Sequence, residues 1–251
     1  MFGIGSKMNN VIFCPVGIPL NYHDAYDKDN HWRKTDGIKR NYETVVYQYK
    51  DFDIESNSYD QLIKDTGFKW DLAKHFLDTF DYRDYDYIGF WDDDLVTDIQ
   101  SVNKALEIAS KKDIKMFQMS TIAGSESTHQ ILHQIPDYSY SLTNFNEGMG
   151  GFFHSSLIPI LLDFWNYHEV KSGWGFDIIL SAITKQKAGV MHEVSMYHPN
   201  RPSYYDKSAA FAEMDKILSE IYPKFMKDRY NEEVGPYNEP QTEYEFTFKV
   251  S

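Results

Sequence analysis

Short apolar runs, β-branched or aromatic, alternate along this chain with segments of helical period, and that alternation restricts the fold more than any other feature. Asn10–Val16 (NVIFCPV) runs into a Pro-Val-Gly turn, Glu43–Tyr49 (ETVVYQY) is β-branched and aromatic, and Tyr85–Trp91 (YDYIGFW) ends at three aspartates. Ile114–Met119, Gly148–Phe153 and Gly189–Tyr197 are further strand candidates. Ala73, Phe76, Leu77 and Phe80 fall at i, i+3, i+4 and i+7, which predicts a helix over Asp60–Phe80. Further helices are predicted over Ile99–Ser110, from near Pro159 to Tyr167, within Gly173–Thr184 and over Asp206–Lys227. Ser120–Glu147 is polar and reads as loops over a site, and Tyr230–Ser251 as a late strand or a C-terminal arm. Strands separated by helices imply an α/β fold with a mainly parallel central sheet covered on both faces. At 251 residues, one domain can bury the core this needs.

Charge and cysteine content narrow the function classes. The chain carries 25 Lys+Arg against 38 Asp+Glu, a net charge of −13, which disfavours a nonspecific binder of phosphate backbones. A local basic segment, His31–Arg40, holds Arg33, Lys34, Lys39 and Arg40 against Asp36. The single cysteine, Cys14, excludes an internal disulfide framework and a multi-cysteine zinc site. Its scarcity, with no apolar leader in Met1–Asn10 and no membrane-spanning run, predicts a soluble, cytoplasmic protein with a flexible N-terminus over residues 1–9. Aromatics reach 16%, including 19 Tyr, and suit surfaces that stack on sugars or bases.

Trp91-Asp92-Asp93-Asp94-Leu95 is the strongest chemical signal. Three carboxylates at a strand end repel one another, and a hard divalent cation such as Mn²⁺ or Mg²⁺ relieves that. Alternate residues of extended chain point the same way, so Asp92 and Asp94 would converge on one ion while Asp93 turns elsewhere. A solvated acidic turn is the other reading of the same residues. Gly173-Trp174-Gly175-Phe176-Asp177 places Asp177 in the first turn of a helix, where the dipole keeps a general base ionised; a helix cap is the alternative. His198 follows a strand as a metal ligand or a hydrogen-bonded surface histidine, and Arg201 is either a phosphate partner or surface. Glu147, opening Glu147-Gly148-Met149-Gly150-Gly151, could bond sugar hydroxyls or precede a plain turn. Lys69 and Lys74 read as ordinary helix lysines. His129 and His133 stand at i, i+4 without an HExxH, and no nucleophile elbow is present.

These stretches, in this order, resemble an uncharacterised domain family, a domain of unknown function whose members look like nucleotide-sugar glycosyltransferases of the GT-A fold. Pro15-Val16-Gly17-Ile18 is similar to the family's P-V-G-I, and Lys69-Trp70-Asp71-Leu72-Ala73-Lys74-His75-Phe76-Leu77 to its K-W-x-x-A-K-x-F-L. Tyr85 to Leu95 resembles Y-D-Y-I-x-x-W-D-E-D-L, and Gly173 to Asp177 its A-W-G-L-D. The match spans residues 10–202, with 203–251 a C-terminal helix and arm packed on that domain. The family's Asp-Gly at the second strand end is Lys50-Asp51 here, and its acid before the terminal Tyr-His is absent.

The resemblance implies a GT-A-like, Rossmann-like single domain and an inverting, metal-dependent glycosyltransferase. Asp92, Asp94 and His198 would hold Mn²⁺ or Mg²⁺, and Asp177 would deprotonate the acceptor hydroxyl. Pro15, Val16, Gly17, Lys74 and Asp93 would lie on the nucleotide side, and Glu147, Trp174 and Gly175 on the sugar or acceptor side. The partners implied are a nucleotide-sugar donor and an acceptor saccharide or hydroxylated base of viral DNA, with no obligate protein partner. Competing classes are a non-catalytic nucleotide-sugar binding module and a metal-dependent phosphohydrolase.

Overall fold

The computed structural model describes residues 9–19, 30–126, 129–199 and 206–249. The expected flexible N-terminus (1–8 of its residues), Arg201 and the 202/203 domain boundary lie outside the described residues.

The first four strands are β1 (Asn10–Val16), β2 (Glu43–Gln48), β3 (Gln61–Lys64) and β4 (Tyr87–Trp91). They pair in parallel in the order β3-β2-β1-β4. β1 and β4 are buried along their whole length, as strands covered on both faces must be. The sheet continues through β7 (Gly150–His154), β5 (Met116–Thr121), β8 (Ala188–Met196), β6 (Tyr138–Thr143) and β9 (Glu243–Phe248), giving the order β3-β2-β1-β4-β7-β5-β8-β6-β9. The α/β class holds, but the sheet is more mixed than the sequence implies. β7 runs antiparallel to both its neighbours, β6 is antiparallel to β8 and β9, and beyond β4 only the β5–β8 pair is parallel.

Alternation along the strands feeds two cores. Val11, Phe13, Val45, Tyr47, Ile88 and Phe90 face one side, against α1 (Lys69–Thr79), α3 (Ile158–Tyr167), α4 (Phe176–Thr184) and α6 (Tyr222–Tyr230). Ile12, Cys14, Val16, Val46 and Trp91 face the other, against α2 (Ile99–Lys112). α2 starts at an Asp98 cap that accepts from the Ser101 amide, and it ends on Asp113 in the left-handed region with Lys111 and Lys112 in its last turn.

Two expectations are corrected. The helix predicted over Asp60–Phe80 begins only at Lys69; Gln61–Lys64 is an edge strand beside β2. The periodic residues all lie in 73–80, and the four residues of β3 are too few to carry a helical period. Likewise the polar segment 120–147 contains β6, whose alternation (YSYSLT) puts serine and threonine on the buried side. The strand reading of the C-terminal segment holds: β9 pairs with β6 and is reached through α5 (Lys207–Lys216), a π-helical stretch Ile217–Ile221 and α6. Among the described residues no helix is long and apolar enough to cross a membrane.

Candidate functional site

β4 delivers its three aspartates to the C-terminal edge of the parallel strands, where open α/β sheets place their ligand crevice. The strand end is rigid. Trp91 is fully buried against Trp32, ring centroids 4.8 Å apart, and the Asp92 amide still donates to the Met149 carbonyl at 2.8 Å. Leu95 is buried, and its carbonyl accepts from the Trp32 indole at 2.8 Å.

Asp92, Asp94 and His198 offer ligand atoms that all lie within 4.8 Å of one another. His198 is carried there by Tyr197, which exchanges two backbone hydrogen bonds with Val96 (2.8 and 2.9 Å). The His198 Nδ1 donates to the Glu126 carbonyl at 2.9 Å, leaving Nε2 facing Asp94 at 3.4 Å. A backbone carbonyl on Nδ1 is the usual way of orienting a metal-binding Nε2. Burial lowers the affinity of this imidazole for a proton, but the hydrogen bond and charge of Asp94, with Asp92 behind it, outweigh burial and raise its pKa to about 9. Two carboxylate oxygens and one imidazole nitrogen at a strand end form a donor set that fits a divalent cation.

A second compensating charge comes from Lys69, on the first turn of α1. Its ammonium reaches Asp92 Oδ1 at 2.7 Å and the Gly148 carbonyl at 2.6 Å. Lys69 looked ordinary in the sequence because nothing in a helix-start lysine announces what it reaches across the fold. Its place at the head of the K-W-x-x-A-K stretch was the available signal. Lys74 lies elsewhere. It lines a cleft with Trp165 and Glu169.

Asp93 turns away from its neighbours, as strand alternation requires. It is buried, and its Oδ2 accepts from the amides of Gly17 (2.7 Å) and Ile18 (3.1 Å). This ties the end of β1 to the aspartate turn, so Asp93 acts on Pro15, Val16 and Gly17 by holding their loop. A Cβ on Gly17 would stand 2.2 Å from the Tyr49 ring, so only glycine permits that approach. Tyr49 in turn lines an open cavity of about 450 Å³ with Gln48, Lys50, Asp51, Lys64 and Asp65, at the ends of β2 and β3.

Across the site, Gly173 and Gly175 both adopt φ +85, which turns the chain sharply into α4. Asp177 then sits in the first turn, its Oδ1 accepting from the amides of Gly175 (3.1 Å) and Ile178 (2.9 Å). Burial raises its pKa to about 7, against these amide bonds and one from the Gly148 amide, which favour the carboxylate. The Gly148 backbone thus joins the two halves, its carbonyl on Lys69 and its amide on Asp177. Glu147 precedes it, anchored through its amide to the buried Gln118 side chain at 2.6 Å. Trp174 is half-buried, edge-on to the exposed Phe211 at 4.9 Å. Gly175 packs against the backbone of Met214 on α5, where a Cβ would come within 3.0 Å, so it serves helix packing.

The other histidines stand apart. His192 is buried and bonded to Ser141, and burial lowers its pKa to about 4, which makes it a neutral core histidine. His129 packs on Phe145. The basic segment is spent internally. Arg33 is fully buried, Lys34 pairs with Glu55 at 2.5 Å and Arg40 with Asp60 at 2.7 Å, leaving Lys39 exposed.

Comparison with known proteins adds the following. A family described as a protein of unknown function (DUF707) matches residues 36–146. No curated protein matches. Among solved structures, S. aureus TarS 1-349 is similar over 89% of this chain and 73% of its own, at 11% identity and a TM-score of 0.50. The same fragment in complex with UDP-GlcNAc aligns over 88% of this chain and 73% of its own, at 10% identity and a TM-score of 0.49. At such identities the likeness concerns the fold alone.

Proposed function

We propose that this chain is a metal-dependent glycosyltransferase that moves a sugar from a nucleotide-sugar donor to an acceptor hydroxyl with inversion. The observation that carries this reading is one arrangement: a two-carboxylate, one-imidazole donor set at the end of β4, linked through Lys69 and Gly148 to a carboxyl group whose pKa is raised to about 7. Asp92, Asp94 and His198 would hold Mn²⁺ or Mg²⁺, which supplies Lewis-acid neutralisation of a departing diphosphate.

The remaining chemistry falls to side chains. Lys69, already on Asp92, adds a fixed positive charge beside the departing group and keeps Asp92 oriented. The Gly17–Tyr49 contact and the cavity beside it suit the nucleoside. Asp177 takes the proton of the acceptor hydroxyl as that oxygen bonds to the anomeric carbon, and the bond from that carbon to the diphosphate breaks on the opposite face. A pKa near neutrality suits such a base, since about half of it is then ionised while it still accepts a proton readily. Glu147 and Trp174 suit sugar hydroxyls and a sugar face. Because Arg33, Lys34 and Arg40 are internally engaged, a saccharide acceptor is favoured over DNA.

A panel of nucleotide sugars, each with and without Mn²⁺, tests the reading by thermal melting and by slow donor hydrolysis. One donor should raise the Tm of the wild type only with metal, and Asp94→Ala should lose that shift. Binding without transfer to any acceptor would leave a binding module. Phosphate release from simple esters would indicate a phosphohydrolase. No shift with any donor would sink the transferase reading.

A further inference from the structure

Asp177 is aimed by the loop that precedes it, residues 171–175, and α5 lies along that loop. The Glu213 carboxylate accepts from two successive amides, that of Lys171 at 2.7 Å on Oε1 and that of Ser172 at 2.8 Å on Oε2. The backbone of Met214 stands where a Cβ on Gly175 would come within 3.0 Å. Phe211 meets Trp174 edge-on at 4.9 Å.

The carboxylate is the firmest of these contacts. Of its ten residues α5 buries only Ala210, so no wide apolar stripe seats it. Amides bonded to a charged acceptor are held roughly twice as strongly as those bonded to a neutral one. The hold passes into the site without a gap. Ser172 Oγ accepts from the Trp174 amide at 3.1 Å, the Gly175 amide donates to Asp177 Oδ1 at 3.1 Å, and the Asp177 amide donates to the Gly173 carbonyl at 3.3 Å. With φ +85 at both Gly173 and Gly175, the turn uses conformations that glycine enters, and leaves, at little steric cost. Its shape has to be fixed from outside, and two bonds to one carboxylate do that.

We propose that Glu213 is a positioning residue for Asp177: its grip on the Lys171 and Ser172 amides holds the turn that presents the Asp177 carboxyl, a role that rests on Asp177 being the acceptor base. Glu213 acts through the backbone. Its own charge faces His168 at the end of α3, which also feels Lys216 and Glu169. Burial is the main cause of the raised proton affinity of Asp177, opposed by the amides of Ile178, Gly175, Gly148 and Asp177 itself. A slack loop admits water to that carboxyl and lowers the affinity.

The test compares the full chain with Glu213→Ala and Glu213→Gln by carbon-13 NMR of the Asp177 carboxyl, identified by its absence in Asp177→Asn. Both variants remove the same charge, but glutamine keeps one oxygen for an amide. In Glu213→Ala the titration midpoint should fall from about 7 toward 3.8, and in Glu213→Gln it should lie between that and the wild type. In transfer assays kcat should fall about 10–100-fold in Glu213→Ala with donor KM unchanged, and the rise of kcat/KM should move to lower pH with the midpoint. Native hydrogen exchange of the wild type supplies a reading that needs no variant to fold: the Lys171 and Ser172 amides should open in one step with those of Gly175 and Ile178. Three outcomes overturn the proposal. The midpoint stays at the wild-type value in both variants, the two variants shift it equally, or Lys171 and Ser172 exchange while Gly175 and Ile178 stay protected. The NMR and exchange readings need no turnover, so a failed donor assay sinks the transferase reading alone and leaves the grip of Glu213 on Asp177 to be decided separately.

Discussion

Asp177 and Lys69 bond the amide and the carbonyl of one residue, Gly148, and each makes a separate prediction. The Asp177 carboxyl holds its proton to about pH 7 in the folded chain, against 3.8 in an unfolded one. Between those values the folded state binds more protons, so stability falls as pH rises from about 4 to 7. Asp177→Asn, which cannot ionise, should remove that fall, and melting curves at pH 5 and pH 8 compare the two proteins directly. The same variant should lose about 10²–10⁴-fold in kcat while donor binding persists. In the wild type, kcat/KM should rise with pH through about 7. A flat profile would mean that Asp177 is not the base. Lys69→Met leaves both Asp92 and the Gly148 carbonyl without their cation, and should cost about 1–3 kcal/mol. Mn²⁺ should then restore more Tm to the variant than it adds to the wild type, as calorimetry with and without the ion would show.

The turn into α4 depends on two glycines for reasons that differ at each. Gly173 has φ +85 and the Trp70 indole against it, while Gly175 has φ +85 and the backbone of Met214 against it. Gly173→Ala therefore combines backbone strain with overpacking and should lose about 2–4 kcal/mol in urea unfolding. Gly37→Ala provides the contrast, with φ +86 but open space, so it should lose only about 1 kcal/mol. Equal losses would show that crowding at Trp70 contributes nothing. Elements differ likewise in how far their sequences announce them. β1 and β4 are buried on both faces and read as continuous apolar runs. β3 is a half-exposed edge of four residues, and β6 buries serine and threonine, so neither carries a period that marks a strand. Asp92 and Asp94 stood out because carboxylates at a strand end need an explanation. Lys69 and the Gly148 bridge did not, since each is defined by partners distant in the chain.

At the scale of the molecule, the sheet is most securely held at its middle and least at its margins. β1 and β4 lie between two cores, whereas β9 pairs on one side only and exposes Phe246 and Phe248. Native-state hydrogen exchange should therefore find β1 and β4 amides opening only with global unfolding, and those of β3 and β9 opening at much lower cost. Uniform protection across all strands would contradict this. The mixed direction of the sheet could not be read from periodicity, because a buried strand has the same pattern whichever way it runs.

β7 lies between β4 and β5, so those two strands never touch even though residues 87–91 and 116–121 are made well before 150–154. During synthesis the β3-β2-β1-β4 group can assemble first, with one edge of β4 bare until the sixth decade of the second hundred residues begins to emerge. That interval is when a nascent chain is most open to pairing with the wrong strand, its own or a neighbour's. The aspartates of the candidate centre hang from that same bare strand, so they are fixed only once β7 has been translated, and the site is completed later still, when Asp177 and His198 follow.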